Sequence, residues 1–159
     1  RLGAELLTVH ASGGEAMLRA AAAAAAEAGA SSAGRTPRLL AVTVLTSLDD
    51  AGLAAVAGPG ARVEETVGRL AGLARETGID GAVSSVNECR AIKLACGEEF
   101  LVVTPGIRLA GQGAQDQKRV ATPAVARAAG ADFLVVGRTI TAADDPAAAL
   151  AAVRAALEA

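Results

Sequence analysis

The sequence predicts an α/β fold of repeated strand–helix units, forming part of a (β/α)8 TIM-type barrel. Three observations carry this. Short apolar, partly β-branched runs alternate five times with longer stretches of helical periodicity. Glycine and polar residues cluster after the apolar runs, where α/β proteins place their sites. The last two runs, residues 100–103 (FLVV) and 133–136 (FLVV), each lead into a turn holding glycine and arginine: Thr104-Pro105-Gly106-Ile107-Arg108 and Gly137-Arg138. Alternation alone fits an open doubly wound sheet equally well. A paired anion cradle after the final two strands favours the barrel, whose phosphate site commonly follows strands seven and eight. Residues 1–159 are then a single domain, a partial barrel of strands four to eight with their helices. A complete barrel needs roughly 200 residues or more.

The elements follow in order. Residues 6–9 (LLTV) form the first apolar run, ending at His10. Ser12 and Glu15 have capping-box spacing, so a helix starts there and runs through the alanines towards Gly29. Ser31, Ser32, Gly34 and Pro37 mark a loop. Residues 39–45 (LLAVTVL) suit a strand buried on both faces, ending at Thr46-Ser47. Asp49-Asp50 opens a short helix that Gly58-Pro59-Gly60 breaks. Val63, Val67, Leu70, Ala71 and Ala74 share one face of the next helix, which stops at Gly78. A weak third strand spans 79–83 (IDGAV), and Ser85 with Glu88 repeats the capping-box spacing before a helix ending at Gly97. Thr122-Pro123 reads as an N-cap with proline at the first helical position, and Gly130 closes that helix. Asp145-Pro146 starts the terminal helix, with Leu150, Val153 and Leu157 on one face.

Composition excludes several classes. A hydrophobic content of 52% argues against disorder, and a net charge of -2 with mixed signs leaves no footprint for nucleic acid or an acidic membrane. No apolar run approaches a membrane span. Cys89 and Cys96 lie on one predicted helix, about 10 Å apart at 1.5 Å rise per residue. A disulfide cannot bridge that distance, and no zinc partners accompany them, so they read as buried apolar thiols in a reducing cytoplasm. No metal site is expected. Arg1-Leu2-Gly3 is not a natural start, and the chain reads as the later portion of something longer.

Two strands that deliver glycine and arginine to one end make a cradle for an anion. Phosphate is the anion that backbone N–H groups and a forked guanidinium both suit. Between the two turns lies a polar loop carrying Asp116-Gln117-Lys118-Arg119. The bland alternative for Arg108 and Arg138 is a salt bridge at a strand end. His10 reads as structural, hydrogen-bonded near the barrel mouth. Ser84-Ser85 reads as a helix start, and Arg75, Arg90 and Arg127 as exposed helix charges. Arg119 is left between a solvated loop charge and a site residue.

Six motifs now stand in order: Val9-His10-Ala11-Ser12-Gly13-Gly14, residues 41–47 (AVTVLTS), Asp80-Gly81, residues 103–108 (VTPGIR), Asp116-Gln117 with Arg119, and Val136-Gly137-Arg138. Together they resemble the bacterial branch of the orotidine 5'-phosphate decarboxylase family over nearly the whole chain. TPGIR, a Gln nine residues after its Arg, and a Gly-Arg pair at the last strand are specific only in combination. The resemblance implies that Arg108, Gln117, Gly137 and Arg138 hold the substrate's 5'-phosphate and its neighbouring groups, and that Thr46 contacts the nucleotide. It implies conversion of orotidine 5'-phosphate to UMP in de novo pyrimidine biosynthesis, without cofactors, by a cytoplasmic homodimer. In that reaction the C6–carboxylate bond breaks, the electron pair stays on C6, and a lysine protonates it. The loop at 109–115 (LAGQGAQ) suits a lid that excludes water.

The sequence also departs from the family. Its strand-end lysine and Asp-x-Lys-x-x-Asp array are absent here; Lys93 falls mid-helix, and Asp116-x-Lys118 has no strand leading into it. No residue of this chain is therefore assigned a catalytic role, and the 159 residues are expected to bind without turning over. Two alternatives stand beside this reading: another phosphate-binding barrel, such as a sugar-phosphate aldolase or synthase, and a non-catalytic nucleotide-binding module. A partial barrel also leaves unpaired strand edges, so the chain is expected to be marginal alone or to pair with another copy.

Overall fold

A computed structural model describes residues 3–30, 36–111 and 119–158. The elements run β1 (Leu6–His10), a 3-10 turn (Ala11–Gly13), α1 (Gly14–Ala30), β2 (Arg38–Val42), α2 (Asp50–Ala57), α3 (Val63–Glu76), β3 (Gly81–Val83), α4 (Val86–Cys96), β4 (Leu101–Thr104), α5 (Pro123–Ala128), β5 (Phe133–Leu134), α6 (Arg138–Thr141) and α7 (Pro146–Glu158). The five strands form one sheet in the order β1-β2-β3-β4-β5, every pair parallel. A doubly wound sheet reverses its strand order partway across. This one does not, so each unit adds to the same growing edge, as in a barrel wall.

Local chemistry sets most boundaries. The Asp49 carboxylate accepts the Gly52 N–H to start α2, and Thr122 accepts from Val125 N to start α5, with Pro123 behind it. Ser85 and Glu88 close a complete capping box on α4. Gly78, Gly97 and Gly130 follow helix ends at positive φ, where a side chain would be strained. Three expectations shift. Ser12 lies inside the 3-10 turn and α1 opens at Gly14, so Glu15 pairs with Arg19 instead of closing a box. The second strand stops at Val42, because the chain turns at residues 45–48 through a Leu48 N–H to Leu45 carbonyl bond. The fifth strand keeps only Phe133 and Leu134, and α6 follows from a stretch with no helical signal of its own.

The N-terminal edge of the sheet repeats one device. In Gly78-Ile79-Asp80 and Gly130-Ala131-Asp132, an aspartate directly precedes a strand. Asp80 Oδ2 accepts the Leu39 N–H at 2.7 Å, and Asp132 Oδ2 accepts the Val102 N–H at 2.7 Å. Each carboxylate thus latches its strand to the strand before it. Asp132 also pairs with the buried Lys93 ammonium at 2.8 Å, and Lys93 donates to the Glu98 carbonyl.

The two sheet faces differ. Leu39, Ala41, Ala82 and Val102 share the face packed against the helices, with Leu18, Val67, Leu70, Ala74, Cys89 and Ile92. Burying each large side chain stabilises the fold by about 1.5–3 kcal/mol. The other face carries Thr8, His10, Val42, Val83, Val103 and Phe133, by the strand register. Leu40 and Val103 are buried at its centre, whereas Phe133 is 40% and Val135 50% exposed towards β5. Gly81 sits tightly between β2 and β4: a Cβ there would meet the Leu101 carbonyl oxygen, and the Leu101 Cβ at 2.5 Å.

Candidate functional site

Four of the five predicted site residues, Thr46, Arg108, Gly137 and Arg138, follow the C-terminal ends of β2, β4 and β5. β4 runs out through Thr104 into residues 105–108, and Gly106 adopts φ 78°, which glycine alone accommodates freely. This segment is held on both sides. Ala121 N donates to the Gly106 carbonyl at 3.2 Å, and the Ala121 carbonyl accepts the Arg108 N–H at 2.9 Å. Ile107 and Ala121 form a parallel bridge. The Ile107 carbonyl accepts from Thr139 Oγ1 at 3.1 Å and from Arg108 Nη1 at 2.8 Å. Thr139 follows Arg138 in α6, so the two arginine-bearing turns meet at one carbonyl.

Arg108 is only 7% exposed, and its Nε has no hydrogen-bond partner among the described residues. A guanidinium withdrawn from water with an unused N–H is costly unless an anion joins it. Arg138 is exposed at the start of α6, with Gly137 capping that turn. Thr46 is buried in the turn after β2. Gln117 lies outside the described residues, as does most of the expected lid, beyond Gly111.

Arg119 is the residue that sequence reasoning left undecided, and it is not solvated. Its side chain and that of Glu88 are 9% and 8% exposed, and they pair at 2.8 Å. Arg119 Nη1 also reaches Ser85 Oγ at 3.3 Å, while Nη2 donates to the Val44 and Leu45 carbonyls, each at 3.1 Å. Glu88 Oε2 meanwhile accepts from Ser85 N at 3.0 Å and Ser85 Oγ at 2.6 Å. The signal for Glu88 was present as a capping box; its partner 31 residues away was not visible from spacing. A cleft of about 610 Å³ opens beside this network, lined among others by Asp49, Arg62, Asn87 and Arg119.

The remaining candidates resolve simply. His10 ends β1 on the second sheet face, exposed and with no hydrogen bond among the described residues, which corrects the expected structural bond. It sits on an edge strand with nothing described beyond it to accept its proton. Ser84-Ser85 starts α4 as expected. Arg75, Arg90 and Arg127 are exposed. Both cysteines are free and buried, and burial pushes each thiol above its ordinary pKa. Lys93 is committed to Asp132 at the opposite end of the sheet. No cluster of His, Cys, Asp or Glu among the described residues could hold a metal ion, and no described helix is long and apolar enough to cross a membrane.

Comparison with known proteins agrees with this geometry. The model of the orotidine 5'-phosphate decarboxylase / HUMPS family matches residues 1–153. An orotidine 5'-phosphate decarboxylase from Moorella thermoacetica is 55% identical over 158 residues, covering 99% of this chain and 63% of that protein. One from Paramagnetospirillum magneticum is 52% identical over 157 residues, covering 99% of this chain and 66% of its own length. The crystal structure of orotidine 5'-phosphate decarboxylase from Lactobacillus acidophilus superposes with a TM-score of 0.82 at 38% identity, over 99% of this chain and 65% of that one. The chain therefore spans just under two thirds of the relatives it matches. Its five parallel strands and their helices are part of a TIM barrel, and it belongs to the orotidine 5'-phosphate decarboxylase / HUMPS family.

Proposed function

We propose that the polypeptide carrying these residues converts orotidine 5'-phosphate to UMP in de novo pyrimidine biosynthesis, and that this chain supplies the grip on phosphate and nucleotide. The observation that carries the reading is Arg108: a buried guanidinium at the C-terminal end of β4 whose Nε has no partner among the described residues. An anion would complete its hydrogen bonding, and the turn bearing Gly137 and Arg138 adjoins it through Thr139 and Ile107. Thr46 would contact the nucleotide, and Gln117 would add its amide from the loop. Binding energy from the phosphate then serves a reaction centre several atoms away.

The reacting groups would come from polypeptide outside these residues. Lys93 is held in an ion pair at the wrong end of the sheet for this chemistry. The same outside segment would supply the first three strands of the barrel and cover the exposed sheet face. A homodimer in the cytoplasm with a small nucleotide as its ligand completes the proposal.

Calorimetric titration with UMP tests it. Arg138→Ala should abolish measurable binding, whereas Arg90→Ala, an exposed change on α4, should leave it intact. Equal effects of the two substitutions would sink the phosphate cradle. The 159 residues alone should show no conversion of orotidine 5'-phosphate, and turnover would refute the placement of the reacting groups elsewhere.

A further inference from the structure

We propose that Arg119 is a positioning residue: it sets the spacing between the turn bearing Thr46 and the segment bearing Arg108, so a ligand that spans both depends on it without touching it. The inference rests on the nucleotide reading for its ligand, but the tie itself stands on geometry. Arg119 lies two residues before Ala121, whose N–H and carbonyl hold Gly106 and Arg108. Its Nη2 holds the Val44 and Leu45 carbonyls, directly before Thr46. Its Nη1 holds Glu88 and Ser85 at the start of α4. Three strand–helix connections, remote in sequence, thus close on one planar fork.

Each leg of that fork is stiff. Two legs end on backbone carbonyls. The other two end on Ser85 Oγ and on Glu88, whose second oxygen is spent on the Ser85 capping box. The pair is buried, so solvent screens it little. The four terminal N–H groups of a guanidinium match four acceptors here, two per nitrogen. A lysine ammonium has three donors at one point and cannot span them. Arg119 Nε is buried and unpartnered among the described residues, so the side chain is placed for its terminal nitrogens.

A ligand pair separates positioning from direct contact. Inorganic phosphate occupies the cradle alone, whereas UMP reaches from the cradle to the Thr46 turn. Arg119→Ala should weaken UMP at least about tenfold while weakening phosphate by less than about threefold, since the charged hydrogen bonds that are lost set the spacing only the longer ligand uses. Arg119→Lys should fail to restore UMP binding. Equal loss for both ligands, or full recovery with lysine, would overturn the proposal in favour of a simple charge effect. Should Arg119→Ala not fold, Glu88→Gln keeps the shape and removes the ion pair, and it should weaken UMP but not phosphate. Amide hydrogen exchange reads the tie without ligand. Exchange at Arg108 and Ala121 should quicken in Glu88→Gln, while the Leu39 amide at the opposite edge should not change. Unaltered exchange at Arg108 overturns the tie even if UMP binds, and a wild type that binds no UMP refutes the nucleotide reading while exchange still decides the tie.

Discussion

At the N-terminal edge of the sheet, the buried Lys93 and the strand-end amides are closed by two partly exposed carboxylates. Asp132 takes the Lys93 ammonium and the Val102 N–H, and Asp80 takes the Leu39 N–H. At the C-terminal edge, Arg108 and Arg119 are equally withdrawn from water, yet each keeps an Nε with no partner among the described residues. Both edges bury charge; only one leaves donors unused. The closed edge serves cohesion. Of the two arginines, Arg108 has no ion pair among the described residues, as Arg119 has with Glu88, and is the one whose desolvation an anionic ligand would repay. Substitutions at the first edge should therefore register in stability, and at the second in binding.

The largest expected effect is at the closed edge. Asp132→Ala leaves the Lys93 ammonium buried without its counter-charge and the Val102 amide without its acceptor. Lys93 is buried but Asp132 is 31% exposed, so the loss should fall at or below the lower end of the about 3–5 kcal/mol of a fully buried pair, measurable as a lowered midpoint in urea. Asp80→Ala removes one backbone latch and no ion pair, so it should cost about 1–3 kcal/mol. Equal losses would erase the distinction between the two latches.

Arg108→Met tests the open edge. Methionine keeps much of the side-chain volume and removes the charge. Affinity for UMP should fall by about a hundredfold, as expected for a buried charge-assisted contact. The urea midpoint should hold or rise, because an unpartnered buried donor disappears with the guanidinium. A fall in stability matching that of Asp132→Ala would show that Arg108 is a structural group and that the edges do not differ in kind.

Gly81 opens β3 directly after Asp80, with Leu40 of β2 and Leu101 of β4 on either side. A Cβ there meets backbone of β4, which cannot rotate away as a side chain would. Gly81→Ala should cost about 1–3 kcal/mol by overpacking and leave ligand affinity within about twofold. A neutral outcome would mean that the sheet breathes enough to admit a methyl group.

Legibility from sequence followed the range of the interactions. Residues 85–88 and 122–123 were readable because a cap is satisfied within three or four residues. The alternation of strand and helix was readable because each element declares its own period. The choice between a barrel wall and a doubly wound sheet came from the cradle's position and was settled by strand order. Arg119 could not be read. Its four acceptors belong to two segments lying 31 to 75 residues away, and nothing in Gln-Lys-Arg distinguishes a buried fork from a solvated charge. His10 failed for the complementary reason: a strand-end histidine acquires a partner only if something packs over that face.

The smallest effect compares the two thiols on α4, one towards each edge. Cys89 lies beside Thr104, with its Sγ 3.3 Å from Oγ1, and Cys96 lies where Arg75 binds its carbonyl. Burial is the first cause that raises both thiols. At Cys89 the Thr104 contact pulls down and the Glu88 charge pushes up; at Cys96 only Arg75 opposes burial. A thiol raised in the folded state holds its proton after the unfolded thiol has lost it. Its contribution to stability is thus complete below the ordinary thiol pKa and is lost as the pH rises through the folded value. Urea midpoints should therefore fall from about pH 9 upward, and Cys89→Ala should flatten that decline. Native-state alkylation by iodoacetamide at pH 8.5 should be slow at both positions, since the thiolate is the reacting form. Rapid modification of Cys89 with the fold intact would mean that the end of α4 beside Thr104 opens readily, and that the donor-rich edge is looser than its hydrogen bonds imply.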